Sequence, residues 1–167
     1  MSRYPDLAAK VDAFFARVQA RHGSEIKCNT GCHHCCFVRL SITRMEADAI
    51  RAEVSGWTAD RKQALAANVV AAPAHHCAAL APGGRCLIYA VRPIVCRSHG
   101  APIRMRDERS LPVVQACSNN FTAHGPSAAD PDCILDQTTL STMVLAVDRA
   151  EGNDGTRIDL AAVLADC

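Results

Sequence analysis

Four thiols and two imidazoles crowd the stretch Cys28-Asn-Thr-Gly-Cys32-His-His-Cys35-Cys36. Packing has no use for so many donors, whereas a metal does. Thiolate is a soft ligand that selects zinc, copper(I) or iron–sulfur centres over magnesium and calcium. Six more cysteines follow, at positions 77, 86, 96, 117, 133 and 167. Four thiolates saturate a tetrahedral ion, so the downstream thiols suffice for a second ion or for completing a larger cluster. The expected ligands are Cys28, Cys32, Cys35, Cys36, Cys86 and Cys96, with Cys77 and Cys117 next. In extended backbone Cys35 and Cys36 point to opposite faces, and in a helical turn they diverge by about 100°, which allows them to serve different metal atoms. His33 and His34 are either ligands or polar spacers beside the sulfurs, while Cys133 reads as a small buried thiol ahead of a helix. Cys167, the last residue, is expected outside the centre.

The rival use for ten cysteines is a disulfide framework. Against it, the opening Met1-Ser-Arg-Tyr-Pro-Asp-Leu has no apolar run after a basic start, and no apolar stretch approaches the roughly 20 residues of a membrane span. The expectation is therefore a soluble, cytosolic chain whose thiols stay reduced. With 18 basic and 17 acidic side chains the formal charge is +1, too even for the basic face that several phosphates demand, so nucleic acid is not an expected partner. A length of 167 residues suits one domain.

The elements that must carry these thiols are mostly helical. Tyr4, Leu7, Val11, Phe14, Phe15 and Val18 recur at helical spacing and predict a helix over residues 4 to 21, ended by Gly23. Thr43-Arg-Met-Glu46 has the form of a capping box opening a second helix with Ala47, Ile50 and Val54 on its apolar stripe. A third is expected from Thr58 to Ala71, stopped by Pro73, with Leu65 and Val69 inward. Pro93 is placed to start a short helix carrying Cys96, so that Cys86 and Cys96 face one pocket. Ile103-Arg-Met and Leu111-Pro-Val-Val flank a polar turn at Arg106-Asp-Glu-Arg-Ser and predict a small ribbon whose second strand, with Pro112, is an edge. Leu135, Leu140, Met143, Val144 and Val147 give another helix ended near Gly152, before a last short one over Leu160 to Leu164. Tyr89 is expected to be packed. Arg92 and Arg97 are read as tuning thiolate charge or making ordinary ion pairs.

In order along the chain, Cys28-x3-Cys32-x2-Cys35-Cys36, Cys77-x-x-Leu80, Cys86-Leu-Ile-Tyr89 and Arg92-Pro93-x-x-Cys96-Arg97 resemble the YkgJ-like zinc- or iron-chelating family named for a CxxCxxCC cluster. The first gap here is three residues where the family has two. The resemblance implies metal or cluster binding, and in many members an iron–sulfur oxidoreductase label. Cys28-x3-Cys32-x2-Cys35 also has the spacing of radical S-adenosylmethionine enzymes. Those need a partial or full α/β barrel, which this pattern of elements does not supply. The expected fold is mainly α: a compact single domain, residues 1–167, with cysteine-rich metal-binding loops and a short β-ribbon. The expected function is metal binding through an iron–sulfur cluster or iron, with zinc as the alternative. The expected partner is an electron carrier or, for a zinc-stabilised module, another protein.

Overall fold

The computed structural model describes residues 3–29 and 31–167; Thr30, in the first spacer of the cysteine cluster, lies outside the described residues. In chain order the elements are α1 (Tyr4–His22), β1 (Ser41–Thr43), α2 (Arg44–Ser55), α3 (Ala59–Ala71), α4 (Ile94–Ser98), β2 (Ile103–Arg106), β3 (Pro112–Gln115), β4 (Leu135–Asp136), α5 (Gln137–Ala150), β5 (Arg157–Asp159) and α6 (Leu160–Ala165), joined by loops and single 3-10 turns. Helices dominate, with two small sheets beside them. Among the described residues no helix is long and apolar enough to cross a membrane.

Backbone proximity divides the chain into two compact units, each discontinuous in sequence: residues 1–29 with 94–147, and residues 30–93 with 148–167. The first unit is built on α1. Pro5 suits its first turn, where no N–H partner is needed, and the helix dipole favours Asp6 in that turn and Arg21 in the last. Tyr4, Leu7, Val11, Phe14 and Val18 are buried along one stripe, as their spacing predicts. Phe14 and Val18 share a core with Ala101, Phe121, Ala129 and Cys133. In the adjoining sheet, of order β3-β2-β4, β2 pairs antiparallel with β3 from Ile103↔Gln115 to Arg106↔Pro112. Pro112, which has no N–H to donate, sits on the edge strand. The helix expected from Leu135 instead starts at Gln137. Leu135 and Asp136 are drawn into β4, where Ile103 faces Leu135 in a parallel pair and the Leu135 N–H donates to the Pro102 carbonyl at 2.9 Å. The Asp136 carboxylate then accepts the Thr139 N–H at 2.8 Å, stabilising the entry to α5.

The second unit buries Ile42, Ala47, Ile50, Val54, Leu65, Ile88, Leu160, Val163 and Leu164 together with Cys77, Ala78 and Ala79. Each large aliphatic side chain in such a core contributes about 1.5–3 kcal/mol of transfer free energy. The capping box forms as its residues predict: both the Thr43 N–H and hydroxyl donate to Glu46 Oε2, at 2.8 and 2.9 Å. Thr58 opens α3 by accepting the Arg61 N–H. Asp148, fully buried, accepts N–H groups of Met45 at 3.0 Å and Gly155 at 3.1 Å and the Asn153 amide at 3.2 Å. It thereby ties the start of α2 to the loop before β5, where an anion at a helix N-terminus is favourable. β1 and β5 pair antiparallel through Ile42↔Ile158.

Candidate metal centre

In the second unit the chain turns tightly through His34–Cys36, with the Cys36 N–H donating to His33 O at 2.8 Å. The Cys36 carbonyl then accepts the Cys77 N–H at 2.7 Å, which fastens the cysteine turn to the segment entering the core. From Cys77 the chain runs into a narrow hairpin: Ala81 N–H to Arg85 O and Leu87 N–H to Ala79 O, both 2.9 Å, with Leu80 and Cys86 paired across it. Asn68, reaching from α3, donates to the carbonyls of Ala78 at 2.7 Å and Leu80 at 3.2 Å, holding this hairpin in place. Nothing in the sequence around Asn68 signals that role, because a single polar residue on a helix carries no motif.

These bonds place the segments that carry Cys35, Cys36, Cys77 and Cys86 side by side. The Cys36 thiol hydrogen-bonds the Cys35 sulfur. That bond, then burial, then repulsion by Cys35, Cys77 and Cys86 hold the Cys36 thiol well above the usual range. Burial first, with Cys35 adding repulsion, raises Cys77. Burial pushes Cys86 up to about 11, with Cys77 and Cys35 contributing. The four sulfurs thus act on one another electrostatically, and as bare thiolates they repel. A divalent cation reverses the sign, since a coordinated thiol is deprotonated outright. Positive charge is already close: the Arg39 guanidinium favours the thiolate at Cys77, and Arg92 favours it at Cys86. The group grades from exposed Cys35 through half-buried Cys36 and Cys86 to buried Cys77.

The imidazoles beside the quartet pack around Phe37. Its ring stacks on His76 with centroids 4.5 Å apart and meets His33 edge-on at 5.4 Å. His33 Nδ1–H donates to the Gly31 carbonyl at 2.7 Å, leaving Nε2 as the acceptor nitrogen. Gly84 approaches that ring so closely that a Cβ there would lie 2.7 Å from Nδ1. Tyr89, expected to be packed, is 64 % exposed with the Arg92 guanidinium over its ring at 4.1 Å. The reason is local: Arg92 also donates to the Tyr89 carbonyl at 2.9 Å, so the cation covers the ring in place of the core. Cys32, half-buried, belongs to this unit, and Cys167 does too. The Cys167 thiol donates to Val163 O at 3.1 Å and packs against the core.

Cys28, Cys96 and Cys117 belong to the first unit, where Asn120 organises the surroundings. This side chain is 4 % exposed. Its oxygen accepts the Lys27 N–H at 2.8 Å, and its amide donates to Gly100 O at 2.8 Å and to Cys28 Sγ at 3.3 Å. Its own N–H donates to the Cys117 carbonyl at 2.8 Å. Cys96 lies on α4, one turn before Gly100. A Cβ on Gly100 would sit 2.6 Å from Cys28 Sγ, and the backbone there has φ +100°, so glycine is required twice over. Asn120 thus anchors Cys28 through its side-chain amide and Cys117 through its backbone N–H. Arg97 pairs with Asp12 at 2.5 Å. Cys86 and Cys96, expected to face one pocket, are assigned to different units.

Residues 27–121 match the family model CxxCxxCC, described as "Putative zinc- or iron-chelating domain". The chain belongs to that family. The CxxCxxCC match covers more than half of the chain and takes in all eight expected ligands. It begins at Lys27 and ends at Phe121, so that Asn120 bonds its first residue from near its last. Cys133 and Cys167 fall outside it. Comparison with curated proteins and with solved structures gave no match.

Proposed function

We propose that this chelating-family protein holds one zinc or iron ion in a tetrathiolate site made by Cys35, Cys36, Cys77 and Cys86. What supports the reading is that these four cysteines lie on two hydrogen-bonded turns of one unit and influence one another electrostatically. Tetrahedral sulfur ligation suits zinc or iron above other common metals. Four thiolates around a divalent ion leave a charge of −2, which Arg39 and Arg92 offset from outside the ligand shell. Bound zinc supplies closure and fold stability; bound iron supplies a one-electron centre.

A second reading, an iron–sulfur centre that passes electrons to a protein partner, is favoured by the Asn120 amide, which donates to Cys28 Sγ. Hydrogen bonds to cluster sulfurs are among the factors that set such potentials. In this reading Cys28, Cys96 and Cys117, all of the first unit, provide the ligands. Anaerobic purification followed by metal and acid-labile sulfide analysis and an absorption spectrum tests both. Colourless protein with zinc and no sulfide, or coloured protein with iron and no sulfide, supports the single ion; iron with stoichiometric sulfide supports the cluster. Protein purified from metal-supplemented cells with neither metal overturns both.

A further inference from the structure

His22, Asp130 and Cys133 lie outside the family match, yet in the first unit they bring three different ligand atoms within 4.8 Å of one another. His22 is the last residue of α1, and Cys133 closes the 3-10 turn Pro131–Cys133, whose N–H bond to the Asp130 carbonyl at 2.8 Å fixes the Asp-x-x-Cys spacing. We propose that these residues form a second metal site, taking a zinc-like divalent cation through one nitrogen, one carboxylate oxygen and one sulfur, with solvent in the fourth position.

The geometry suits that donor set. His22 Nε2 and Asp130 Oδ2 are 3.5 Å apart. With zinc bonds of roughly 2.0–2.3 Å, the edges of a tetrahedron are about 3.3–3.7 Å. The pair therefore already stands at the ligand separation. The Asp130 N–H donates to His22 Nε2 at 3.3 Å, so that nitrogen carries the ring's acceptor lone pair, which a metal takes over from this long hydrogen bond. A cation between Nε2 and the carboxylate replaces two long contacts, the Asp130 N–H at 3.3 Å and Arg21 at 3.4 Å, with shorter metal bonds, and neutral imidazole is the form that ligates. Phe121, a non-glycine residue held at φ +54°, lays its ring 5.6 Å from the imidazole and orients it. Cys133 is fully buried among Phe14, Val18, Ala101 and Phe121, whereas Asp130 is half exposed, so the site has one dry side and one open to water. Arg21 contacts Asp130 Oδ2 at 3.4 Å but has its closer partner in Asp132 at 2.7 Å, where it stays when Asp130 turns to a cation. One thiolate, one carboxylate and neutral imidazole balance a charge of +2.

Zinc is titrated into the full-length protein against a chromophoric chelator, comparing wild type with His22→Gln and Asp130→Asn, both chosen to spare the buried Cys133. The expected result is loss of one zinc equivalent in each variant, with the melting temperature of the zinc-free protein within a few degrees of wild type. The variant Cys86→Ser is expected to retain this equivalent while losing the one held by the thiol quartet, so the two sites fail separately. Wild-type zinc stoichiometry in either His22→Gln or Asp130→Asn overturns the proposal.

Discussion

Replacing Gly100 with alanine puts a methyl group where Cys28 and Asn120 leave no room. Its carbon would lie 2.6 Å from Cys28 Sγ, 3.1 Å from Asn120 Nδ2 and 3.6 Å from the Phe15 ring, on a backbone at φ +100°. An L-residue in the left-handed region costs about 1–2 kcal/mol. Forcing a methyl into a filled space costs about 1–3 kcal/mol more. The sum is about 2–5 kcal/mol, and for a chain of this size each kcal/mol lowers Tm by roughly 2–4 °C. Gly100→Ala should therefore melt on the order of 10 °C below wild type, and the shift should be accompanied by faster alkylation of Cys28, because its sulfur is the atom that must move, away from its hydrogen-bonding amide. The comparison is Gly83→Ala: no atom lies within 4 Å of the carbon it would add, and its expected change is within about 0.5 kcal/mol. Thermal unfolding by circular dichroism reads both variants. A Gly100→Ala protein melting within 2 °C of wild type, roughly the least that 1 kcal/mol produces, refutes the packing described around Asn120.

Asp148→Ala strips three donors of their buried acceptor, and breaking such a buried charged network costs about 3–5 kcal/mol, measured by denaturant unfolding. In metal-free protein Cys77 and Cys86 are raised by burial, so their stabilisation is complete below the unfolded thiol value near 9 and is lost as pH climbs above it, for Cys86 toward about 11. The slope is up to about 1.4 kcal/mol per pH unit for each thiol, and a chelator-treated protein whose Tm rises over that window contradicts the assignment. Metal-loaded protein should show the opposite trend on the acid side, losing metal and stability together as protons compete for sulfur. Cys167→Ser should keep full metal content, while Cys86→Ser should lose the quartet metal; metal analysis of the two side by side checks this.

What the chain discloses before folding is what depends on near neighbours. The stripe of α1 follows from spacing, the capping box of α2 from Thr43 and Glu46, and the edge position of β3 from Pro112. Pairings across long separations are not written that way. Arg157–Asp159 meets Ser41–Thr43, and Leu135 joins Ile103, through contacts that no local pattern encodes. The cysteines divide similarly: their type announces metal chemistry, but the chain path decides that Cys35, Cys36, Cys77 and Cys86 belong to one unit and Cys28, Cys96 and Cys117 to the other. Asn68 and Asn120, which hold the two sets of loops, are single amides whose importance arises only from the carbonyls and sulfur they reach.

The central claim is that four particular thiols share one metal, and alkylation footprinting by mass spectrometry tests it most directly. Metal-loaded protein is treated with a thiol reagent at increasing chelator concentration. Cys35, Cys36, Cys77 and Cys86 are expected to be protected together and to become reactive at the same chelator concentration, although Cys35 is solvent-exposed in the fold. Cys35 reacting at full speed in the metal-loaded protein, or the four thiols releasing at separate chelator concentrations, would contradict it.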